Sequence, residues 1–228
     1  MLKMLTKIRT FICEKATQYK AKYNWHSWDI YNYKDMFPER YNNQIKAANE
    51  LFIPAVNKNS YVADLGSGDG WFTFVIAPHV QFIDAVDLSK KFTKIAKKNQ
   101  KENGVVNINF KCIEAEKFLL KASKNKKKYD AVMCMGMFTY ITDDFLFFKL
   151  LHKIHQILMV NGLFFLKDTL SHEEDILWND GNYVAKYRKG SSYTKAISDT
   201  GFKLMHEGYL SNHPETHTFS GFKIFQKI

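Results

Sequence analysis

Cysteine is scarce in this 228-residue chain: Cys13, Cys112 and Cys134 stand far apart, without the spacing of metal ligands. An odd count of three, two of them inside predicted strands, excludes a disulfide scaffold and suits a reducing cytoplasm. No apolar run approaches the ~20 residues that span a bilayer. Arginine is almost missing. Arg9, Arg40 and Arg188 are the only three among 33 basic residues. The arginine fork is the favoured group for phosphate and base recognition, so the net charge of +10 is a weak argument for a nucleic-acid partner. The lysine-rich run at 124–128 reads as a solvated loop ahead of a strand. The basic first 22 residues, with Leu2, Leu5, Ile8, Phe11 and Ile12 at helical spacing, lack the continuous apolar centre of a secretory signal. They read as a surface helix, with a mitochondrial address as the alternative because no acid precedes Glu14.

What is present is enough for one sizeable core: 46% apolar residues, no internal repeat and no low-complexity linker. Strand patterns fall at 61–65, 82–87, 108–112, 129–135 and 163–167. Helical patterns fall at 71–79, ended by Pro78, at 89–103 between an N-cap Ser89 and Gly104, and at 143–158 before Asn161 and Gly162. A short helix at 193–200, stopped by Gly201, precedes strands at 202–206 and 219–226 with no helix between them. The alternation predicts an α/β fold: a doubly wound, mostly parallel sheet ending in an antiparallel pair. Residues 1–55 read as a helical, aromatic lid and 56–228 as the ligand-binding domain.

The most informative stretch is 62–70, Val-Ala-Asp-Leu-Gly-Ser-Gly-Asp-Gly. A buried strand reaches an acid and then turns through Gly66, Gly68 and Gly70. Glycine lets the backbone approach a ligand, at the carboxyl edge of a sheet where open α/β folds bind theirs. A dinucleotide fold asks for a third glycine where Trp71 stands. Asp64 and Asp69 suit a cationic ligand better than a phosphate. The stretch resembles motif I, D-x-G-x-G-x-G, of the class I S-adenosylmethionine-dependent methyltransferases. Their cofactor carries a sulfonium and an ammonium, and their sheet has seven strands.

The resemblance implies roles along the rest of the chain. Asp64, Gly66, Ser67, Gly68 and Gly70 would cradle the cofactor. Asp87, at the end of the second strand, would take the ribose diol, and Leu88 would line the adenine. Glu114, with Glu116 as its neighbouring alternative, would accept the adenine amino group beside the backbone amide of Ala115. Met135 and Gly136 would lie along the methionine arm, and Arg40 and Tyr41 near its carboxylate. Tyr140 stands where many small-molecule members carry histidine. Asp168 and His172, at and after the fifth strand end, are candidates to hold or deprotonate an acceptor. Tyr183 and Arg188, within 178–188, could grip a carboxylate, phosphate or sugar. Trp28, with Trp25, Tyr31, Tyr33 and Phe37, could form a lid or an aromatic box.

The implied reaction is methyl transfer to nitrogen or oxygen of a small molecule or sugar, with no metal. The absence of an Asn/Asp-Pro-Pro-Tyr segment after the fourth strand disfavours nucleic-acid bases as acceptors. Three rivals stand beside it: a protein N-terminal methyltransferase, an RNA methyltransferase, and a non-catalytic subunit of the same fold. The first would use a histidine and an asparagine where Tyr140 and Thr169 stand. An oxidoreductase is disfavoured by Trp71 and the two acids.

Overall fold

The computed structural model describes residues 33–181 and 183–228. Trp25, Trp28, Tyr31, Cys13 and the predicted surface helix at the start of the chain lie outside them, as does Asn182. Seven helices carry the described chain: α1 (Tyr33–Met36), α2 (Pro38–Ala47), α3 (Trp71–Ile76), α4 (Lys90–Glu102), α5 (Ala115–Lys124), α6 (Asp144–Ile157) and α7 (Gly190–Ser198). The strands are β1 (Tyr61–Leu65), β2 (Phe82–Asp87), β3 (Ile108–Cys112), β4 (Tyr129–Met135), β5 (Leu158–Ser171), β6 (Ile176–Asn179), β7 (Val184–Tyr187), β8 (Phe202–His213) and β9 (Thr218–Lys227).

Seven strands form one sheet in the order β3-β2-β1-β4-β5-β9-β8. β3 through β5 run parallel, and β9 pairs antiparallel with both β5 and β8. The central strands are apolar on both faces because helices cover both, as buried parallel strands require. On one face α5 and α6 bring Leu119, Phe147, Leu151 and Ile154 onto Val132, Cys134, Phe164 and Leu166. On the other, α2, α3 and a π-helical turn (Ala48–Phe52) bring Ala47, Phe52, Phe72 and Ile76 onto Val62, Met133 and Phe165. The strand order reverses between β1 and β4, so the crevice of the sheet opens at their carboxyl ends.

Local signals explain the boundaries. Ser89 caps α4, its hydroxyl accepting from the Phe92 amide at 3.2 Å, and Asp143 caps α6. Four expectations are corrected. The 71–79 helix is α only to Ile76 and continues as a 3₁₀ turn (Ala77–His79) around Pro78. α5 was not expected, because its lysines hide the buried stripe of Phe118, Leu119 and Ala122. The segment at 178–188 is largely a β-hairpin, β6 with β7. Strands β5 and β8 are longer than expected, because pairing with β9 continues to Ser171 on β5 and to His213 on β8, and Leu158 at the start of β5 pairs with Tyr129 on β4.

Candidate active site

The β1 turn is held open by its neighbours. The Gly66 and Ser67 amides donate to the Val86 carbonyl at 2.8 and 3.0 Å. The Gly68 amide donates to Asp87 Oδ2 at 2.9 Å, and Asp87 Oδ1 accepts from the Ser89 amide at 2.7 Å. The three glycines have φ of 73°, 56° and 84°, a left-handed backbone that only glycine adopts cheaply. Their surroundings differ. A Cβ on Gly66 would stand 2.9 Å from Met137 Cβ, and one on Gly70 would stand 2.7 Å from the Phe110 ring. A Cβ on Gly68 would meet nothing within 4 Å. The outer glycines are demanded by packing, and the middle one faces open space.

Beneath the turn lies Asp64, fully buried. Its Oδ2 accepts from the Thr73 hydroxyl at 2.6 Å, and its Oδ1 has no partner among the described residues. Burial pushes this carboxyl up to about 7; the Thr73 bond opposes the rise and the charge of Asp87 adds to it. Burial also raises Asp69, whose Oδ1 accepts from the Trp71 amide. Trp71, in the place of a third glycine, stacks on Tyr33 with centroids 4.8 Å apart and touches Tyr41 at 5.0 Å. Those contacts tie the turn to α1 and α2.

A cavity of about 870 Å³ opens above these groups. Its walls include Asp64, Gly66, Ser67, Gly68, Asp87, Leu88, Glu114, Ala115, Met135 and Arg40 of the expected cofactor residues, and Tyr140 and Tyr183 of the expected acceptor residues. Tyr140 and Tyr183 meet edge to face at 5.7 Å. Arg40 donates from Nε to Ser211 Oγ at 3.1 Å and from Nη2 to His213 Nε2 at 2.8 Å. That nitrogen therefore accepts, and burial together with the Arg40 charge lowers the His213 pKa.

Five expected residues do not line the cavity. Gly70 turns toward Phe110, and Tyr41 packs on Trp71. Asp168 faces the opposite side of β5. Its oxygens accept from the Thr139 amide at 3.0 Å, the Thr139 hydroxyl at 2.9 Å and the Tyr193 hydroxyl at 2.6 Å. Arg188 is buried under the 3₁₀ turn that carries Tyr140, donating to the Phe138 and Ile141 carbonyls and to Asp144, over the Phe147 ring. His172 is exposed, 3.3 Å from Asn212 Oδ1. Trp28 lies outside the described residues.

In their place the cavity gains Lys167, Thr169, Gln44, Tyr187 and His213. Strand periodicity was the available signal for the first two. Neighbours on β5 point to opposite faces, so Lys167 and Thr169 share one and Asp168 has the other. The register Asp64–Met133–Phe165 on β1, β4 and β5, with Met135 opposite Lys167, puts Lys167 on the Asp64 face. Gln44 and His213 carried no such signal, because α2 and β8 reach the site only through tertiary packing.

Comparison with known proteins fits this geometry. Residues 62–162 match a family model described as a methyltransferase domain. A ubiquinone biosynthesis O-methyltransferase of Coxiella burnetii is 29% identical over 86 residues, 38% of this chain and 35% of that protein. An uncharacterized RNA methyltransferase of Fusobacterium nucleatum is 31% identical over 94 residues, 39% of this chain and 20% of that protein. The chain thus spans about a third or less of the length of the curated relatives it matches. Among solved structures, an S-adenosylmethionine-dependent methyltransferase of Leishmania major superposes with a TM-score of 0.71 at 18% identity, over 92% of this chain and 83% of that one.

Proposed function

We propose that the chain, whose residues 62–162 match a methyltransferase-domain model, is a class I S-adenosylmethionine-dependent methyltransferase that methylates a nitrogen or oxygen atom of a small-molecule or sugar acceptor. The observation that carries the donor half is the orphaned Asp64 Oδ1 beneath a glycine turn whose middle residue faces open space. A buried carboxyl oxygen without a partner is costly unless a donor reaches it. The residues present fit the cofactor: Asp64 and Asp69 answer its positive groups, Asp87 its ribose, Leu88, Glu114 and Ala115 its adenine, and Met135 its methionine arm. Arg40 and Gln44 on α2 are placed for its carboxylate. The bound cofactor supplies an electrophilic methyl for in-line displacement.

The chain's own part is alignment and exclusion of water. Tyr140 and Tyr183 wall the acceptor side. Asp168 acts one step back, holding the turn that carries Tyr140. On this side α1 and α2 close the cavity, through Tyr33, Phe37, Arg40 and Gln44. A cytoplasmic setting goes with the thiols of Cys112 and Cys134, neither of which is in a disulfide. No described helix is long and apolar enough to cross a membrane.

The Fusobacterium relative and the net charge of +10 favour a second reading, methylation of RNA. Calorimetry with S-adenosylhomocysteine tests the donor site: binding is expected, and its absence removes the proposal. Tritiated S-adenosylmethionine offered with a cell extract separates the acceptors. Label in the fraction below 1 kDa supports the small-molecule reading; label only in RNA replaces it.

A further inference from the structure

Lys167 is a buried cation on the cavity wall, 7% exposed. Among the described residues its ammonium has no hydrogen-bond or carboxylate partner. It lies 5.3 Å from the centre of the Tyr33 ring, and its Nζ comes within 3.5 Å of where a Cβ on Gly136 would stand. A charge taken from water without a partner is costly, and most such groups are paired or neutralised. Burial, with the Arg40 charge adding to it, brings this ammonium down to about 8, and Asp168 and Cys134 partly oppose the fall. Gln44 repeats the pattern: it is 1% exposed, lines the same cavity, and its Nε2 donor has no partner.

Glu116, Asp143 and Glu215 are acids on the lining, and the remaining acidic and basic side chains fall at two ends. Asp64, Asp69, Asp87 and Glu114 surround the glycine-turn end, where a cationic donor fits. The cations Arg40 and Lys167 gather, with the neutral His213, where α2, β5 and β8 meet. The donor brings one carboxylate, and Arg40 with Gln44 can answer it. Lys167 is then a second cation with no anion to meet.

We propose that Lys167 anchors an anionic group, a carboxylate or a phosphate, on the acceptor itself, so that the substrates of this site are acids methylated at a nearby nitrogen or oxygen. The inference rests on the donor-site reading above. An acidic acceptor would complete the pairing that the fold leaves open, and its charge opposes that of the donor. The Tyr33 face supports the ammonium while the anion is away. The groups facing Lys167 are Arg40 from α2, Tyr33 from α1 and His213 from β8, while Cys134 on β4 and Asp168 on β5 act on it from the opposite face of the sheet.

The test uses the full chain saturated with S-adenosylhomocysteine, whose binding is measured first. Benzoate and inorganic phosphate are titrated by calorimetry against benzamide, the neutral isostere of benzoate. At least one anion is expected to bind tenfold or more tighter than benzamide. Lys167→Met should bring that preference below twofold, and Lys167→Arg, which keeps the charge, should retain it. Near pH 8 anion binding should take up about half a proton, read from buffers of different ionisation enthalpy, and less at pH 7. If Lys167→Met does not fold by circular dichroism, the proton uptake and the Lys167→Arg result decide. No anion preference in the loaded wild type overturns the proposal and leaves the donor site standing. So does a tenfold loss of S-adenosylhomocysteine affinity in Lys167→Met with methylthioadenosine affinity unchanged, because the cation then serves the donor's own carboxylate. Failure of the wild type to bind S-adenosylhomocysteine at all defeats the donor-site reading instead.

Discussion

Asp64 couples burial, pH and ligand binding in one side chain. Its carboxyl stands at about 7 in the folded chain against 3.8 as the ordinary value. The folded state therefore holds a proton that the unfolded state releases above pH 4. The stabilisation is complete below pH 3.8 and is lost as the pH rises through about 7. At 1.36 kcal/mol per pH unit this amounts to about 4 kcal/mol as an upper bound. The ligand-free protein should lose stability between pH 4 and 7 in urea titrations, and Asp64→Asn should flatten that slope. Ligand binding should run the other way. Ionised Asp64 answers the donor's ammonium, so S-adenosylhomocysteine affinity should rise about fivefold to tenfold from pH 6 to pH 8, and Asp64→Asn should remove the rise. The glycines separate in the same manner. Gly68→Ala meets no neighbour and costs the fold about 1–2 kcal/mol for its φ of 56°, so its main effect should be lost ligand affinity. Gly66→Ala and Gly70→Ala strike Met137 and Phe110 and should lower the melting temperature further. Equal melting temperatures in all three would contradict the packing argument.

At the scale of elements, the 3₁₀ turn Phe138–Tyr140 is held from two sides, by Asp168 through Thr139 and by Arg188 through the Phe138 carbonyl. Arg188→Met leaves the Phe138 and Ile141 carbonyls without this donor, while Asp144 keeps Lys186, and should cost about 2–4 kcal/mol in urea unfolding. Asp168→Asn keeps one acceptor and should cost about 1–3 kcal/mol. If Asp168 acts by positioning, that variant should lower turnover while the cofactor dissociation constant stays within twofold, and its pH–rate profile should keep its shape. Loss of the acidic, ascending limb would instead make the carboxylate a base. The same elements show what could be read from residues in a row. β1, β2, β3 and β4 were legible to the residue because apolar runs between turn signals admit one reading. The glycine turn was legible because its constraint is local. The hairpin β6–β7 was not, since its exposed strands lack a buried face. Asp168 and Arg188 were read as ligand-facing because strand-end acids and lone arginines suggest chemistry. Only the register shows that Asp168 points away from the cavity, and only the packing shows Arg188 beneath the turn.

Across the whole molecule, positive charge and binding site are kept apart. The chain carries +10, yet among the described residues Lys167 is the only lysine on the cavity wall, and the long lysine runs sit on α4 and around α5. Exposed charges of this kind act over a Debye length of about 8 Å at physiological salt, whereas groups buried beneath the glycine turn are screened much less. Polyanions held by the outer lysines should therefore be released as salt rises from 50 to 500 mM, and S-adenosylhomocysteine affinity should change less than about threefold over the same range. An equal salt dependence of both would join the lysine surface to the site and favour the RNA reading. α2 is latched to β8 through Asn43 and Arg40, and to the glycine turn through the Tyr41–Trp71 contact, beside which α1 adds the Tyr33–Trp71 stack. A ligand gripping the turn and α2 together should stabilise the folded state as a unit. At a hundred times its dissociation constant the gain is about 2.7 kcal/mol. For a chain of this size that is roughly 5–10 °C in melting temperature. Arg40→Gln should cut the shift given by S-adenosylhomocysteine, which carries the amino-acid arm, and leave the smaller shift given by methylthioadenosine, which lacks it, unchanged. Equal losses with both ligands would place Arg40 in the fold and outside the site.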